Sequence, residues 1–384
     1  MTQSRDNGRM EICEISPAEA LARVQAGAVL VDVRREDERL LGMADCAIGV
    51  VREELESAPD THLPDHDAEI LLICQGGRRS MLAAQVLQGR GYTRLCSVAG
   101  GTVAWEAAGL PMVRGGGIDD DFADRYSRHL LLPEVGVEGQ RRLARAQVLM
   151  VGAGGLGAPA AFYLAAAGVG TLRIADDDVV ERSNLQRQVL HREATIGVAK
   201  VESAAASLQA LNPRVQVDAR FERITSANVE AMLEGVDVVL DGADNFPARY
   251  LLNDACVKLG VPLVYGAVHR FAGQVSVFDA GRQRGVAPCY RCLFPEPPPP
   301  EAAPNCSEAG VLGVLPGVVG LLQATEVLKL LLGIGTPLTG RLLHFDALGM
   351  RFRETALAPD PDCAVCAPGR PFPGYIDYAS FCAG

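Results

Sequence analysis

An apolar run, Gln147–Val151, passes directly into Gly152-Ala153-Gly154-Gly155-Leu156-Gly157 and then into a helix-forming stretch that reaches Ala167. A strand that turns through glycines and re-emerges as a helix belongs to open, largely parallel sheets covered by helices. Further strands are expected at Thr171–Ala175, Val236–Asp241 and Pro262–Gly266. Strands at Gly273–Phe278 and Arg341–Phe345 lack helical crossovers, so the sheet should become mixed there. The same logic runs through the first hundred residues. Ser16-Pro17-Ala18-Glu19 is a capping box opening a helix to Gly27. Ala28–Val33 and Glu69–Cys74 are strands, and Arg79–Gln88 and Val103–Ala108 are helical. The fold class is α/β in two units.

The division is expected at 114–121, RGGGIDDD, where three glycines loosen the chain and three acids keep it solvated. That gives a first domain over 1–113, a flexible linker over 114–121, a second domain over 122–370 and a tail over 371–384. Pro295–Cys306 is too rich in proline for helix or central strand. The net charge of −11 excludes nucleic acid as the main partner, because phosphate backbones demand clustered positive charge. The N-terminal ten residues carry no apolar core, and the longest apolar run, Ala309–Leu322, contains Pro316 and falls short of the roughly 20 residues a bilayer requires. No membrane association and a cytoplasmic location are expected. In a reducing compartment the eleven cysteines are metal ligands, nucleophiles or small buried residues rather than disulfides. Cys13, Cys46, Cys96 and Cys256 read as core or surface residues, Cys382 as incidental. His129, His191, His269 and His344 have no partner recognisable from sequence.

Cys74 ends a strand and is followed by Gln75-Gly76-Gly77-Arg78-Arg79-Ser80, which opens a helix. Loop amides, a helix N-terminus and two arginines would each favour a thiolate and stabilise a persulfide anion. Four residues separate Cys74 from Arg79, one fewer than a phosphate-wrapping phosphatase loop needs, so the ring suits a single sulfur atom. With Asp32-Val33-Arg34 and Gly100-Gly101…Trp105…Gly109-Leu110-Pro111, the segment Ile12–Val113 resembles the rhodanese family of sulfurtransferases. It departs from that family at Gly42-Met43-Ala44, where Gly-His-Ile is frequent.

Gly154 and Gly155 lie in a turn that lets backbone approach a phosphate at a helix N-terminus, and Asp176 can accept hydrogen bonds from ribose hydroxyls. Alone, this pattern favours NAD. Ser183-Asn184-Leu185-Gln186-Arg187-Gln188, Lys200 and Asp244-Asn245 change the balance. Arg187 and Lys200 have no use in hydride transfer, whereas an enzyme that expels pyrophosphate needs cations there. Asp244 can hold the bridging magnesium. Two C-x-x-C pairs, Cys289/Cys292 and Cys363/Cys366, match a structural zinc with four thiolates.

From Arg125-Tyr126-Ser127-Arg128 to Cys366 these blocks resemble the MoeB/ThiF family, prokaryotic relatives of ubiquitin-activating enzymes. The resemblance implies a Rossmann-like ATP-binding domain with a mixed sheet and a four-cysteine zinc knot. It implies that Gly155, Asp176, Asp178, Ser183, Asn184, Arg187, Lys200, Asp244 and Asn245 contact ATP or Mg2+, and that Arg128 reaches into the site of a homodimer partner. It also implies adenylation of the C-terminal Gly-Gly of a ubiquitin-like sulfur carrier, followed by sulfur transfer from Cys74 to give a thiocarboxylate. The donor would be thiosulfate or a cysteine-desulfurase persulfide, and the pathway molybdopterin, thiamin or another sulfur-transfer route. Cys306 occupies a position that is covalent in some members and dispensable in others. Alternatives are a dehydratase-type relative acting on modified tRNA, an NAD-dependent oxidoreductase fused to a sulfurtransferase, and a non-catalytic scaffold.

Overall fold

The computed structural model describes residues 12–115, 118–297 and 310–383. The chain divides into two compact units between Val137 and Glu138.

The N-terminal unit is built on a five-stranded parallel sheet. From edge to edge its strands are Cys13–Ile15, Leu95–Val98, Ile70–Ile73, Val29–Asp32 and Ala47–Gly49. Ile70–Ile73 is buried throughout, as a continuous apolar run covered on both faces must be. The Ser16 side chain accepts from the Glu19 amide at 3.3 Å and opens the helix Pro17–Gln25 as its cap. Asp32, the last residue of its strand, forms a buried ion pair of 2.7 Å with Arg34. Trp105 is fully buried and donates its indole N–H to the Pro111 carbonyl at 3.1 Å.

The segment read as a free linker is held to this unit on either side of 116–117. The Gly115 amide donates to the Leu40 carbonyl at 3.1 Å, and Arg114 donates to the Leu41 carbonyl at 2.9 Å. Arg114 also pairs with Glu106 and Asp120. Ile118 is buried in a cluster with Phe122, Tyr126, Leu130 and Val137 that packs against Leu40 and Leu41. The acids expected to solvate a tether instead start a helix, with Asp119 capping Asp120–Arg125.

The C-terminal unit carries an eight-stranded sheet. Its first five strands, Gln216–Arg220, Thr171–Ala175, Gln147–Val151, Val238–Asp241 and Leu263–His269, are parallel. The last three, Ala272–Phe278, Arg341–Asp346 and Arg351–Ala356, are antiparallel, so the sheet turns mixed where helical crossovers stop. Chain order reverses between Gln147–Val151 and Val238–Asp241, which opens a crevice beyond their carboxyl ends.

One helix among the described residues, Val314–Leu332, is long and apolar enough by length and composition to cross a membrane. The apolar run read as Ala309–Leu322 therefore continues further than Pro316 and its glycines suggested. Pro316 sits in the first turn, where a missing N–H breaks no helical hydrogen bond. One face of the helix packs against the helix Gly157–Ala166 and the strands Leu263–His269 and Ala272–Phe278, while Val314 and Leu321 on it are exposed. Its buried Gln323 donates to the Asp241 carbonyl at 2.7 Å and the Val264 carbonyl at 3.2 Å, which ties it to the parallel strands. The tail is also part of the fold. Tyr378 donates to Asp254 at 2.8 Å, and Arg291 holds the same carboxylate at 2.8 and 2.9 Å.

Candidate functional site

The crevice at the strand reversal is shaped by glycines. Gly152 has φ +96°, and a methyl group on it would meet the Gly242 carbonyl oxygen at 2.6 Å. One on Gly157 would lie 2.0 Å from the Gly152 carbonyl oxygen. Neither position admits a side chain without moving backbone, so the turn stays tight and open toward the crevice. Gly154 and Gly155 are partly exposed within the turn. A methyl on Gly155 would stand 3.6 Å from Arg187 Cγ, which places Arg187 beside the turn.

Asp176 follows the next strand. Its two oxygens accept from the Ala153 amide at 2.8 Å and the Asp178 amide at 2.9 Å. Burial lifts its pKa above the usual carboxylate value, against the pull of Lys200 and these amides. Lys200 is buried, and its Nζ lies 2.7 Å from Asp178 Oδ2, whose side chain is largely exposed. Ser183 and Asn184 form a short 3-10 turn, and Arg187 Nη1 donates to the Ser183 carbonyl at 3.1 Å. Across the crevice, Asp244 is exposed. Asn245 caps the helix Phe246–Leu259 by accepting from the Ala248 amide at 3.0 Å, and its amide touches Asp244 at 3.4 Å. The oxygens of Asp176, Asp177 and Asp178 lie close enough together to share a cation.

Several residues that support this site escaped the sequence. His191 Nε2 lies 3.0 Å from the Ala153 carbonyl oxygen and Nδ1 3.0 Å from Ser203 Oγ, so a buried imidazole braces the glycine turn. Burial keeps its pKa below the usual value. Ser203 follows Lys200 by one helical turn, the only local hint of that link. Beneath Asp244, Asp241 and Arg249 form a buried pair at 3.5 Å.

The second constellation surrounds Cys74. Its sulfur accepts from the Gly77 amide at 3.2 Å and lies 3.4 Å from the Ser80 hydroxyl. Burial raises the thiol's pKa, but Ser80 and the loop amides outweigh it, leaving the thiol below its ordinary value. Arg79 gives its hydrogen bonds to Glu38, at 2.6 and 2.8 Å, while its charge still attracts the Cys74 thiolate, and Arg78 is exposed. The loop is backed by Gly101, where a methyl would strike the Cys74 carbonyl oxygen at 2.0 Å, and by the Thr102 amide, which donates to that oxygen at 2.8 Å.

Cys289, Cys292, Cys363 and Cys366 converge as a group that could hold one metal ion. Their sulfurs approach to 3.4, 3.7 and 3.9 Å. Four thiolates at about 2.3 Å from a tetrahedral zinc stand about 3.8 Å apart, so the donors fit that ion. The Asp360 amide also donates to Cys292 Sγ at 3.3 Å. Arg128 lies on a short helix in the N-terminal unit and is exposed. Cys306 lies outside the described residues.

The glycine turn at a strand reversal, with an acid, a buried lysine and an arginine around it, defines a nucleotide-binding α/β protein joined to a thiol-loop domain. The chain belongs to the ThiF family, whose model matches residues 126–365, and residues 16–108 match the rhodanese-like domain. It is 54% identical over 260 residues to the sulfur carrier protein adenylyltransferase of Thermus thermophilus, covering 67% of this chain and 96% of that protein. It is 52% identical over 273 residues to the adenylyltransferase and sulfurtransferase MOCS3 of Sus scrofa, covering 71% of this chain and 59% of that protein. The crystal structure of E. coli MccB has the same fold, with a TM-score of 0.56 at 20% identity over 72% of this chain and 85% of that one.

Proposed function

We propose that the C-terminal unit adenylates the C-terminal glycine of a ubiquitin-like sulfur carrier at the expense of ATP, and that Cys74 supplies the sulfur. The observation that carries this reading is the buried Lys200 at the lip of the glycine turn, paired with Asp178 and accompanied by Arg187. A bound nucleoside triphosphate would draw that ammonium from an exposed carboxylate to a phosphate with little reorganisation. The kinship with sulfur carrier adenylyltransferases supports the choice of ATP over NAD.

In the first step the carrier's carboxylate attacks the α-phosphorus and pyrophosphate leaves. Lys200 and Arg187 take up its charge, with Arg128 contributed by a second copy of the chain. Magnesium, held by Asp244, would neutralise the diphosphate oxygens. In the second step the terminal sulfur of a Cys74 persulfide attacks the acyl carbon and AMP leaves. A second thiol then takes the Cys74 sulfur into a disulfide and releases the thiocarboxylate. Cys306 is the candidate for that thiol. Thiosulfate or the persulfide of a cysteine desulfurase reloads Cys74 once it is reduced. Zinc on the four cysteines would fasten the segment around Cys363 to the helix that begins at Tyr290. The reading places the enzyme in the cytoplasm, as a homodimer.

The test is a Cys74→Ala variant. With a Gly-Gly-tailed carrier it should exchange pyrophosphate into ATP at the unmodified rate, yet yield no thiocarboxylate from thiosulfate. Undiminished thiocarboxylate formation would remove the N-terminal unit from the reaction.

A further inference from the structure

At the opposite end of the N-terminal sheet from the Cys74 loop, two more thiols meet. Cys13 lies on the edge strand Cys13–Ile15 and Cys96 on its parallel neighbour Leu95–Val98, and the two residues are direct register partners. Register partners on adjacent strands stand about 4.8 Å apart at Cα. That falls inside the roughly 4.4–6.8 Å window a disulfide spans. Both thiols are free, and Cys13 is near enough to Cys96 to raise its pKa. They line a cleft of about 260 Å³ together with Arg23, Glu69 and Arg94. Arg23 is anchored by Glu69 at 2.9 Å and directs a second donor contact at Cys96 Sγ, 3.6 Å away.

The two sulfurs differ in access. Cys13 is half-buried and can be reached from the cleft, whereas Cys96 is 5% exposed. Burial and the neighbouring Cys13 thiol push the Cys96 pKa up to about 12, so Cys96 remains an unreactive thiol at rest. The arrangement is that of an attacking and a resolving cysteine. None of these groups takes part in the sulfur transfer assigned to Cys74.

We propose that Cys13 and Cys96 form a second, redox-active thiol site, oxidised by hydroperoxides to a reversible cross-strand disulfide. Cys13 sulfur attacks the peroxide O–O bond. An S–O bond forms, the O–O bond breaks, and the leaving oxygen departs as water or alcohol, which leaves Cys13 as a sulfenic acid. Cys96 sulfur then attacks the Cys13 sulfur, the S–O bond breaks, and the hydroxyl leaves as water with the Cys96 proton. Two thiols lose two electrons and two protons, and one peroxide is reduced. Arg23 stabilises the negative charge that develops on Cys96 as its proton departs. The disulfide fastens the edge strand to the sheet. Because parallel partners hold their Cβ atoms near the full strand spacing, wider than an unstrained disulfide prefers, dithiol reductants should reopen it readily.

The test uses the full-length chain exposed to graded hydrogen peroxide, alkylated and mapped as peptides without reduction. The expected result is one linked pair containing Cys13 and Cys96, lighter by two hydrogen atoms than the free peptides and lost on treatment with dithiothreitol. Cys13→Ser should abolish the pair. In Cys96→Ala, Cys13 should stop at the sulfenic acid and take up a dimedone label absent from the native chain. Because the label is read on Cys13 itself, and circular dichroism reports the fold, a destabilised Cys96→Ala chain would be recognised as such while Cys13→Ser still decides the matter. The proposal is overturned if Cys13 and Cys96 both remain alkylatable at peroxide levels that fully oxidise Cys74, or if Cys13 passes to sulfinic acid in the native chain without a linked pair.

Discussion

The Ser80 hydroxyl oxygen lies 3.4 Å from Cys74 Sγ and 2.9 Å from both the Gly77 carbonyl oxygen and Ser97 Oγ. Its single proton can serve the sulfur only when the sulfur is an anion that outcompetes the carbonyl. The hydroxyl therefore favours the charged forms of Cys74, thiolate and persulfide alike. Loss of a hydrogen bond to a charged group costs about 1.5 kcal/mol, which corresponds to about one pH unit in a titration midpoint. Ser80→Ala should raise the alkylation midpoint of Cys74 by roughly that much and slow sulfur transfer several-fold near neutrality. The pH profile of iodoacetamide labelling at Cys74 measures it. An unmoved midpoint would leave the loop amides as the whole cause of the depressed thiol pKa.

Under the proposed reading Lys200 makes the corresponding contribution at the glycine turn. Its partner Asp178 is 64% exposed, and the neighbouring Asp176, whose pKa burial already raises, can take up a proton once the ammonium is gone. Lys200→Met should therefore keep the fold while forfeiting transition-state charge stabilisation, a loss of about 10²- to 10³-fold in rate. ATP–pyrophosphate exchange in the presence of a carrier is the measurement. The melting temperature should move by only a few degrees. A comparable collapse of both would recast Lys200 as structural.

The parts of this molecule that were legible in its sequence are those fixed by local backbone geometry. The strands Gln147–Val151 and Thr171–Ala175 match the expectation residue for residue, because a buried strand beside a glycine turn or a short loop has sharp ends. The edge strand Cys13–Ile15 and its neighbour Leu95–Val98 were missed, since three or four residues show no usable period. Pro316 misled because its effect depends on its position within a helix that could not yet be drawn. At the sites, the glycine turn, the cysteine loop and the C-x-x-C pairs follow from spacing along the chain. Their long-range partners do not. Glu38 meets Arg79 across 41 residues and Tyr378 meets Asp254 across 124, and no periodic pattern records either meeting. Arg79 therefore acts on the sulfur through its charge alone, because its hydrogen bonds go to Glu38.

The four-cysteine cluster makes a prediction about the tail as well as the metal. Cys289, Cys363 and Cys366 are buried with Val257, Ala280 and Val365, and Phe372 packs against them. Four thiols this close with no cation would repel once ionised, so a bound ion would stabilise the assembly outright. The purified chain should carry one zinc per protomer by elemental analysis. Cys363→Ser should lose it and melt roughly 10 °C lower, as a loss of a few kcal/mol implies in a unit this size. Limited proteolysis should then release the segment beyond Cys366 first. Full metal content in the variant would refute the four-thiolate site.

Asp241 sets a pH dependence of stability whose sign is opposite to that of ordinary surface carboxylates. It is fully buried, its Oδ2 has no hydrogen-bond partner, and burial lifts its pKa to about 6 despite Arg249. The ordinary value is 3.8. Between these two values the folded chain holds the proton and the unfolded chain has lost it. Rising pH therefore favours unfolding across that window, and the loss is complete above it. A separation of about two pH units corresponds to roughly 3 kcal/mol. Asp241→Asn removes the titrating group but leaves Arg249 in place. At pH 4 both chains have a neutral side chain at this position, and their stabilities should be close. By pH 7 the balance should have shifted toward the asparagine variant by roughly 3 kcal/mol, because only the native chain must bury an anion. Denaturant melts of both chains at pH 4, 5, 6 and 7 measure the shift. A constant difference across the series would mean that Arg249 compensates the buried carboxylate fully, and that the pair beneath Asp244 is a permanent ion pair.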